Sequence, residues 1–238
     1  MKRLFTFLVL SMMIVMSIGI TVPVSASDEH LIKEKVFITY GTGSGAGTDQ
    51  YDVFSYNGIR WYDGAHTNGI PLTGIKYYVN PSGASMGAVV AVKYAFEIWD
   101  AQVSVELFDD NVYQISKVAG NKRDGKNVVS WGPLRVGVVA ITTIWYYSDT
   151  LEIVEFGIVF NRLYAWGIDP DGEGPLTITS FDVQNVATHE AGHTLSLNDL
   201  YVDEASELTL YGYTSIGETK KRSLGLGDIH GVQHIYGA

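Results

Sequence analysis

The sequence predicts an α+β domain built on a mixed sheet. Three observations carry that expectation. Hydrophobic periodicity passes from strand to helix, then through several strands, and closes on two helices. The segments are separated by Gly, Asn and Pro clusters that suit turns. A length of 238 residues fits one domain better than two small ones.

The elements follow in order. Residues 75–79 form a β-rich run stopped by Asn80 and Pro81. Between residues 84 and 99, Val89, Val92, Ala95, Phe96 and Trp99 recur at helical spacing. Residues 103–108 alternate as a strand, and 128–131, 136–147 and 153–160 read as further strands. A turn cluster covers 169–174. Ser180 then caps a helix running to about Leu195, with Asp182 in its first turn favouring the helix dipole. A last helix runs from near Asp228 to Tyr236.

The N-terminus has a basic start at Lys2 and Arg3, an apolar run over 4–20, and small residues leading to Ala26. That pattern predicts a secretory signal over 1–26, cleaved after Ala26; a retained membrane anchor is the rival reading. No later segment is as long and apolar, so the expectation is a secreted, extracellular protein with no stable membrane insertion once the signal is removed. Residues 27–60 read as an N-terminal segment or short pro-region. They contain the Gly-rich stretch 41–48, and a pro-segment and an ordered loop fit it equally. Residues 61–238 form the expected functional domain.

Composition excludes several classes. The chain is 46% hydrophobic and 18% charged, which argues against disorder and coiled coil. Sixteen basic residues against 26 acidic ones leave no footprint for nucleic acid. There is no cysteine, so a metal must be held by nitrogen and oxygen.

The chemistry is concentrated in His189-Glu190-Ala191-Gly192-His193. The i, i+4 spacing puts both imidazoles on one helical face, where they can share a metal ion. Glu190 points about 100° around the axis, within reach of a water at that metal without ligating it. Val183, Val186, Ala187, Leu195 and Leu197 make this a buried helix, where two histidines and a carboxylate need a reason to be. A helix supplies only two ligands. Asp199, six residues after His193, can turn back to the same ion; a glutamate about twenty residues downstream, with Glu218 the candidate, is the rival third ligand.

The stretch from His189 to Asp199 resembles the extended zinc motif of the metzincin metallopeptidases, in the variant with aspartate as third ligand. Residues 224–237 are similar to the C-terminal helix segment of matrixins, and the opening at 74–99 looks matrixin-like. The resemblance spans most of 60–238 and is sharp over 181–238. It implies a twisted mixed sheet of about five strands with two long helices, one carrying the zinc motif, and a C-terminal helix. It implies one catalytic zinc held by His189, His193 and Asp199, with Glu190 as general base, in a secreted endopeptidase that hydrolyses peptide bonds by metal-activated water. Two imidazoles and one carboxylate leave a net +1 at zinc. Protein or peptide substrates would pair with residues 138–142 as the cleft-edge strand. Oligomeric state is open.

Three departures from that family stand out. Ser196 occupies a glycine position where the chain turns left-handed, at a cost of about 1 kcal/mol. Leu210 stands where the family has a methionine beneath the zinc, a swap costing under about 1.5 kcal/mol; Met86 is the only methionine after the signal. The absence of histidine between His66 and His189 removes the matrixins' second, structural zinc, and the absence of cysteine removes their thiol latency. A catalytically silent metzincin-like zinc-binding module, acting as a secreted binding or inhibitory protein, is therefore the alternative function.

Other residues have plainer expectations. His230 and His234 lack an intervening glutamate and suit helix surface or packing, and Gly231 suits close helix packing. Asp169, Asp171 and Glu173 offer oxygen ligands for a possible calcium on a turn too short for a full calcium loop. Tyr211 and Tyr213 could line a substrate pocket or steady an oxyanion.

Overall fold

A seven-stranded mixed sheet with helices packed against it organises the chain. The structure, a computed structural model, describes residues 31–41, 46–61, 74–169 and 179–238. The predicted signal over 1–26, His30, His66, Asp171 and Glu173 lie outside the described residues.

Strand β1 spans Ile32–Gly41, β2 Tyr77–Asn80, β3 Tyr113–Gln114, β4 Asn127–Gly132, β5 Val138–Tyr147 and β6 Ile153–Asn161. The short β7 (Trp166–Gly167) and β8 (Phe181–Asp182) pair with each other, and β9 is Tyr213–Thr214. Helix α1 covers Ala88–Asp100, α2 Val183–Thr194 and α3 Leu226–Tyr236. The main sheet runs β3-β2-β4-β6-β5-β1-β9. Its first four strands are parallel; β5 is antiparallel to β6, β1 antiparallel to β5, and β9 parallel to β1.

The α+β expectation holds, with corrections of detail. About five strands were expected; β1 and β9 extend the sheet to seven on the far side of β5. Residues 103–108 alternate but form no strand. The N–H groups of Leu107 and Phe108 donate to the Asp100 carboxylate at 2.6 and 3.1 Å, and only Phe108 bridges to Ile75. Helix α2 is capped by Asp182 rather than Ser180: its carboxylate accepts the Asn185 N–H at 2.7 Å and binds Arg222. Residues 138–142 are not an edge, because β1 pairs along the whole outer side of β5, from Ile32 opposite Tyr147 to Tyr40 opposite Val138.

The core explains where α2 lies. Tyr77, Phe96, Phe108 and Phe156 form an aromatic cluster between α1 and the sheet, with Tyr77 stacked on Phe96 at 4.5 Å. Helix α2 packs between α1 and β5. The indole N–H of Trp99 donates to the Thr188 carbonyl, and that of Trp61 to the Thr194 carbonyl, each at 2.9 Å. Every residue of α2 except Gln184 is buried. None of the described helices is long and apolar enough to cross a membrane.

Candidate metal centre

The histidine helix is fixed from below before any ligand is considered. At Gly192 a Cβ would lie 2.7 Å from both Leu210 and Trp99, so only glycine lets the floor and α1 approach so closely. Leu210 is that floor, as its place in the sequence suggested, while Met86 is 98% exposed and far from any such role. The turn carrying Leu210 is held by α3: the Asp228 carboxylate accepts the N–H groups of Thr209 at 2.7 Å, Leu210 at 3.1 Å and Gly225 at 2.9 Å.

The exit from α2 brings the third carboxylate back. Ser196 adopts φ 72°, the left-handed turn expected there. Its N–H donates to the His193 carbonyl at 2.9 Å and that of Leu197 to Gly192 at 3.2 Å, a Schellman closure that satisfies the helix end. Its hydroxyl, buried, donates to Asn57. Beyond the turn, Asn198 bonds Ser55 and Leu200 bonds the backbone around Leu210, so Asp199 is pinned between two anchored neighbours.

The outcome is a convergence of His189, His193 and Asp199, whose candidate ligand atoms all lie within 4.8 Å of one another. His189 Nε2 and His193 Nε2 are 3.0 Å apart, and Asp199 Oδ1 is 3.3 and 3.4 Å from them. An ion about 2.1 Å from each of three tetrahedral ligands would space those atoms about 3.4 Å apart. The donor chemistry agrees. His189 Nδ1 donates to the Thr209 carbonyl at 2.6 Å and His193 Nδ1 to the Leu197 carbonyl at 2.8 Å. A carbonyl only accepts, so each neutral ring keeps its proton on Nδ1 and turns the Nε2 lone pair inward. Asp199 Oδ1 is buried without a hydrogen-bond partner. Three acceptors facing one another in a buried site fit a metal ion. Among the described residues this is the only such group of three or more.

Charge is shared unevenly in this group. Burial drives the His189 pKa down to about 4. Burial also opposes a charged His193, but Asp199 and Glu190 outweigh it and raise its pKa. Burial would raise Asp199, yet the charge of His193 holds it well below the usual carboxylate range.

Glu190 lies beside the group without joining it, as its helical position predicts. It is fully buried, and burial raises its pKa against the pull of His193 and two hydroxyls. Thr39 Oγ1 donates to its Oε1 at 2.6 Å, and Thr142 Oγ1 to its Oε2 at 2.5 Å. Sequence reading missed both threonines. Each is a buried hydroxyl on a strand, and only the pairing of β1 with β5 brings them to one carboxylate.

The remaining candidates separate cleanly. Glu218, the rival third ligand, bonds Asn185 and Thr214 instead of the histidines. His230 pairs with Asp52 at 2.5 Å and His234 packs on Phe54 and Tyr56, the surface and packing roles expected. A Cβ on Gly231 would meet Leu197 at 2.8 Å, which accounts for that glycine. Asp169 is buried, its N–H on Asp182 and its carbonyl on Arg222, while its two acidic neighbours fall outside the described residues. Tyr211 packs in a small satellite core with Ala205 and Leu208, and Tyr213 pairs with β1. Tyr201 is the tyrosine beside the metal group: burial and the Asp199 charge raise its pKa, and it lines an open groove of about 320 Å³ with Asp199, Asn198, Phe37 and Tyr40.

A buried cation completes the wall. The Lys221 ammonium donates to the carbonyls of Tyr211 and Tyr213, the latter at 2.7 Å, and burial lowers its pKa to about 8. No protein-family model matches the chain, and no curated protein matches it.

Proposed function

We propose that this chain is a secreted zinc-dependent endopeptidase of metzincin type. The observation that carries the reading is the convergence of two Nε2 lone pairs and the orphaned Asp199 oxygen beside a buried glutamate. The likeness of residues 189–199 to the metzincin motif, with an apolar floor at Leu210 and a left-handed Ser196, supports it. His189, His193 and Asp199 would hold the zinc. Zinc bound there supplies Lewis acidity, lowering the pKa of water and polarising a peptide carbonyl.

The chain's own residues supply the rest. Glu190 takes the proton of the attacking water and passes it to the leaving amine as the C–N bond breaks, giving a carboxylate and an amine. Its raised pKa brings it closer to the range where a carboxyl both accepts and returns a proton. The Thr209 and Leu197 carbonyls orient the two imidazoles and keep their tautomers fixed.

The test is hydrolysis of an unfolded protein, with and without chelator, by the parent and by Glu190→Gln. Hydrolysis abolished by chelator and reduced at least 100-fold by the substitution is expected; hydrolysis indifferent to both rejects the mechanism. The silent zinc-binding module draws on one observation, that both Glu190 oxygens are already bonded to threonines. It requires zinc uptake with no turnover in any state of the chain.

A further inference from the structure

We propose that residues 32–41 are an internal ligand of the metal cleft: a self-strand that fills an extended-peptide groove between β5 and β9 and has to leave before an outside peptide can enter. This deepens the peptidase reading and rests on it for the consequence on activity.

Alternation along β1 aims one face at the site. Lys35, Phe37 and Thr39 follow one another at the two-residue period of a strand, so their side chains share a face. The Lys35 ammonium reaches Asn198 Oδ1, next to Asp199, whose charge acts on it. The Phe37 ring stacks on the His193 imidazole, centroids 4.3 Å apart and planes 8° apart. Thr39 takes one oxygen of Glu190. Three consecutive positions on one strand face thus touch the third ligand's neighbour, a ligand ring and the base.

The opposite face of β1 buries no residue: Glu34 and Val36 are exposed and Ile32, Ile38 and Tyr40 are half-buried, which leaves Phe37 and Thr39 as the only buried residues of the ten. A structural strand in this sheet looks different: every residue of β6 except Val154 is buried. Besides these three side chains, backbone pairing holds β1, antiparallel to β5 and parallel to β9. Without it, β5 presents an unpaired edge from Val138 to Tyr147, with the two residues of β9 beyond its Val138 end, an arrangement that accepts an added strand. After Gly41 the sequence runs Thr-Gly-Ser-Gly-Ala-Gly, and the chain is fastened to the body again at Gly47, whose N–H donates to Ser206 at 2.8 Å.

The occupant also predicts the preference of the vacated groove. It takes an extended peptide with an aromatic side chain two residues before a small hydroxyl residue and a cation two residues before that, as in Lys35-Val-Phe37-Ile-Thr39. The Phe37 ring covers His193 and Thr39 lies against Glu190, so the self-strand inhibits by occupying the place an outside peptide would have to take.

The experiment inserts a site-specific protease sequence after Ser44 in the secreted chain, which is then loaded with zinc, cut and washed. Two quantities are read: binding of a fluorescent peptide of residues 31–41, and hydrolysis of an unfolded protein. Cutting is expected to raise hydrolysis at least tenfold. Added 31–41 peptide should suppress it again, and the peptide carrying Phe37→Ala and Thr39→Val should bind at least tenfold more weakly. Ile38→Pro in the uncut chain, which breaks the ladder in mid-strand, should also raise hydrolysis. Loss of near-ultraviolet circular dichroism on release of the strand overturns the proposal, because β1 is then part of the core. Equal hydrolysis before and after cutting overturns it as well. Saturable peptide rebinding with no hydrolysis in any state supports the self-strand and rejects the peptidase reading.

Discussion

The two walls of the metal cleft are built on different physical terms. On one side, α2 and the turn at 208–210 are buried and interlocked with a half-buried Asp199: the histidine rings are oriented by carbonyls, the turn by Asp228, and the helix by Trp99 and Gly192. On the other, β1 has only two buried residues and is held by a backbone ladder plus three side chains. A preorganised wall tolerates little change and a laddered one tolerates much. On the proposed reading, the difference marks which side would hold an ion and which side would give way.

Substitutions in the two walls should therefore differ in kind, and the largest effect belongs to the ligands. His193→Ala is expected to abolish stoichiometric metal uptake, well beyond the about 10–100-fold loss typical of an outer partner; metal titration by calorimetry reads it. Next comes Asp228→Ala, which leaves three buried N–H groups unpaired and should cost about 3 kcal/mol or more in urea unfolding. It should also weaken metal binding about 10–100-fold through the shifted Thr209 carbonyl. An unfolding midpoint matching the parent would show that the floor needs no support from α3.

Smaller effects sharpen the contrast. Leu210→Met should change stability by under about 1.5 kcal/mol and leave metal affinity alone, since Leu210 packs on Gly192 without offering a ligand. Ser196→Ala keeps the left-handed strain and loses the bond to Asn57, costing about 1 kcal/mol, whereas Ser196→Gly trades that bond for relief of strain and should fall within about 0.5 kcal/mol of the parent. At the bottom of the scale, Val36→Thr on the exposed face of β1 should stay within about 0.5 kcal/mol. A large loss there would erase the difference between the walls.

What sequence could reveal follows the same division. His189, Glu190, His193 and Asp199 were legible because their geometry is local: helical spacing and one tight turn bring them together. The left-handed Ser196 and the floor at Leu210 were readable from position along that same stretch. Strand β1 was not, since its alternation is interrupted by Lys33, Glu34 and Lys35, and its formation depends on β5, about a hundred residues away. Thr39 and Thr142 stayed hidden for the same reason. Residues 103–108 failed in the opposite sense: their alternation is strand-like, but the Asp100 carboxylate takes the N–H groups that a ladder would need. The Asp182 cap was two residues off because β8 runs directly into α2.

His189, His193 and Asp199 are proposed to form one zinc site. Its most direct test is the zinc content of the purified secreted chain, measured beside Asp199→Ala with near-ultraviolet circular dichroism to show that the variant is folded. One zinc per chain is expected in the parent and at least a tenfold lower content in the variant. Equal zinc in both, or a parent chain that takes up none at saturating zinc, would contradict it.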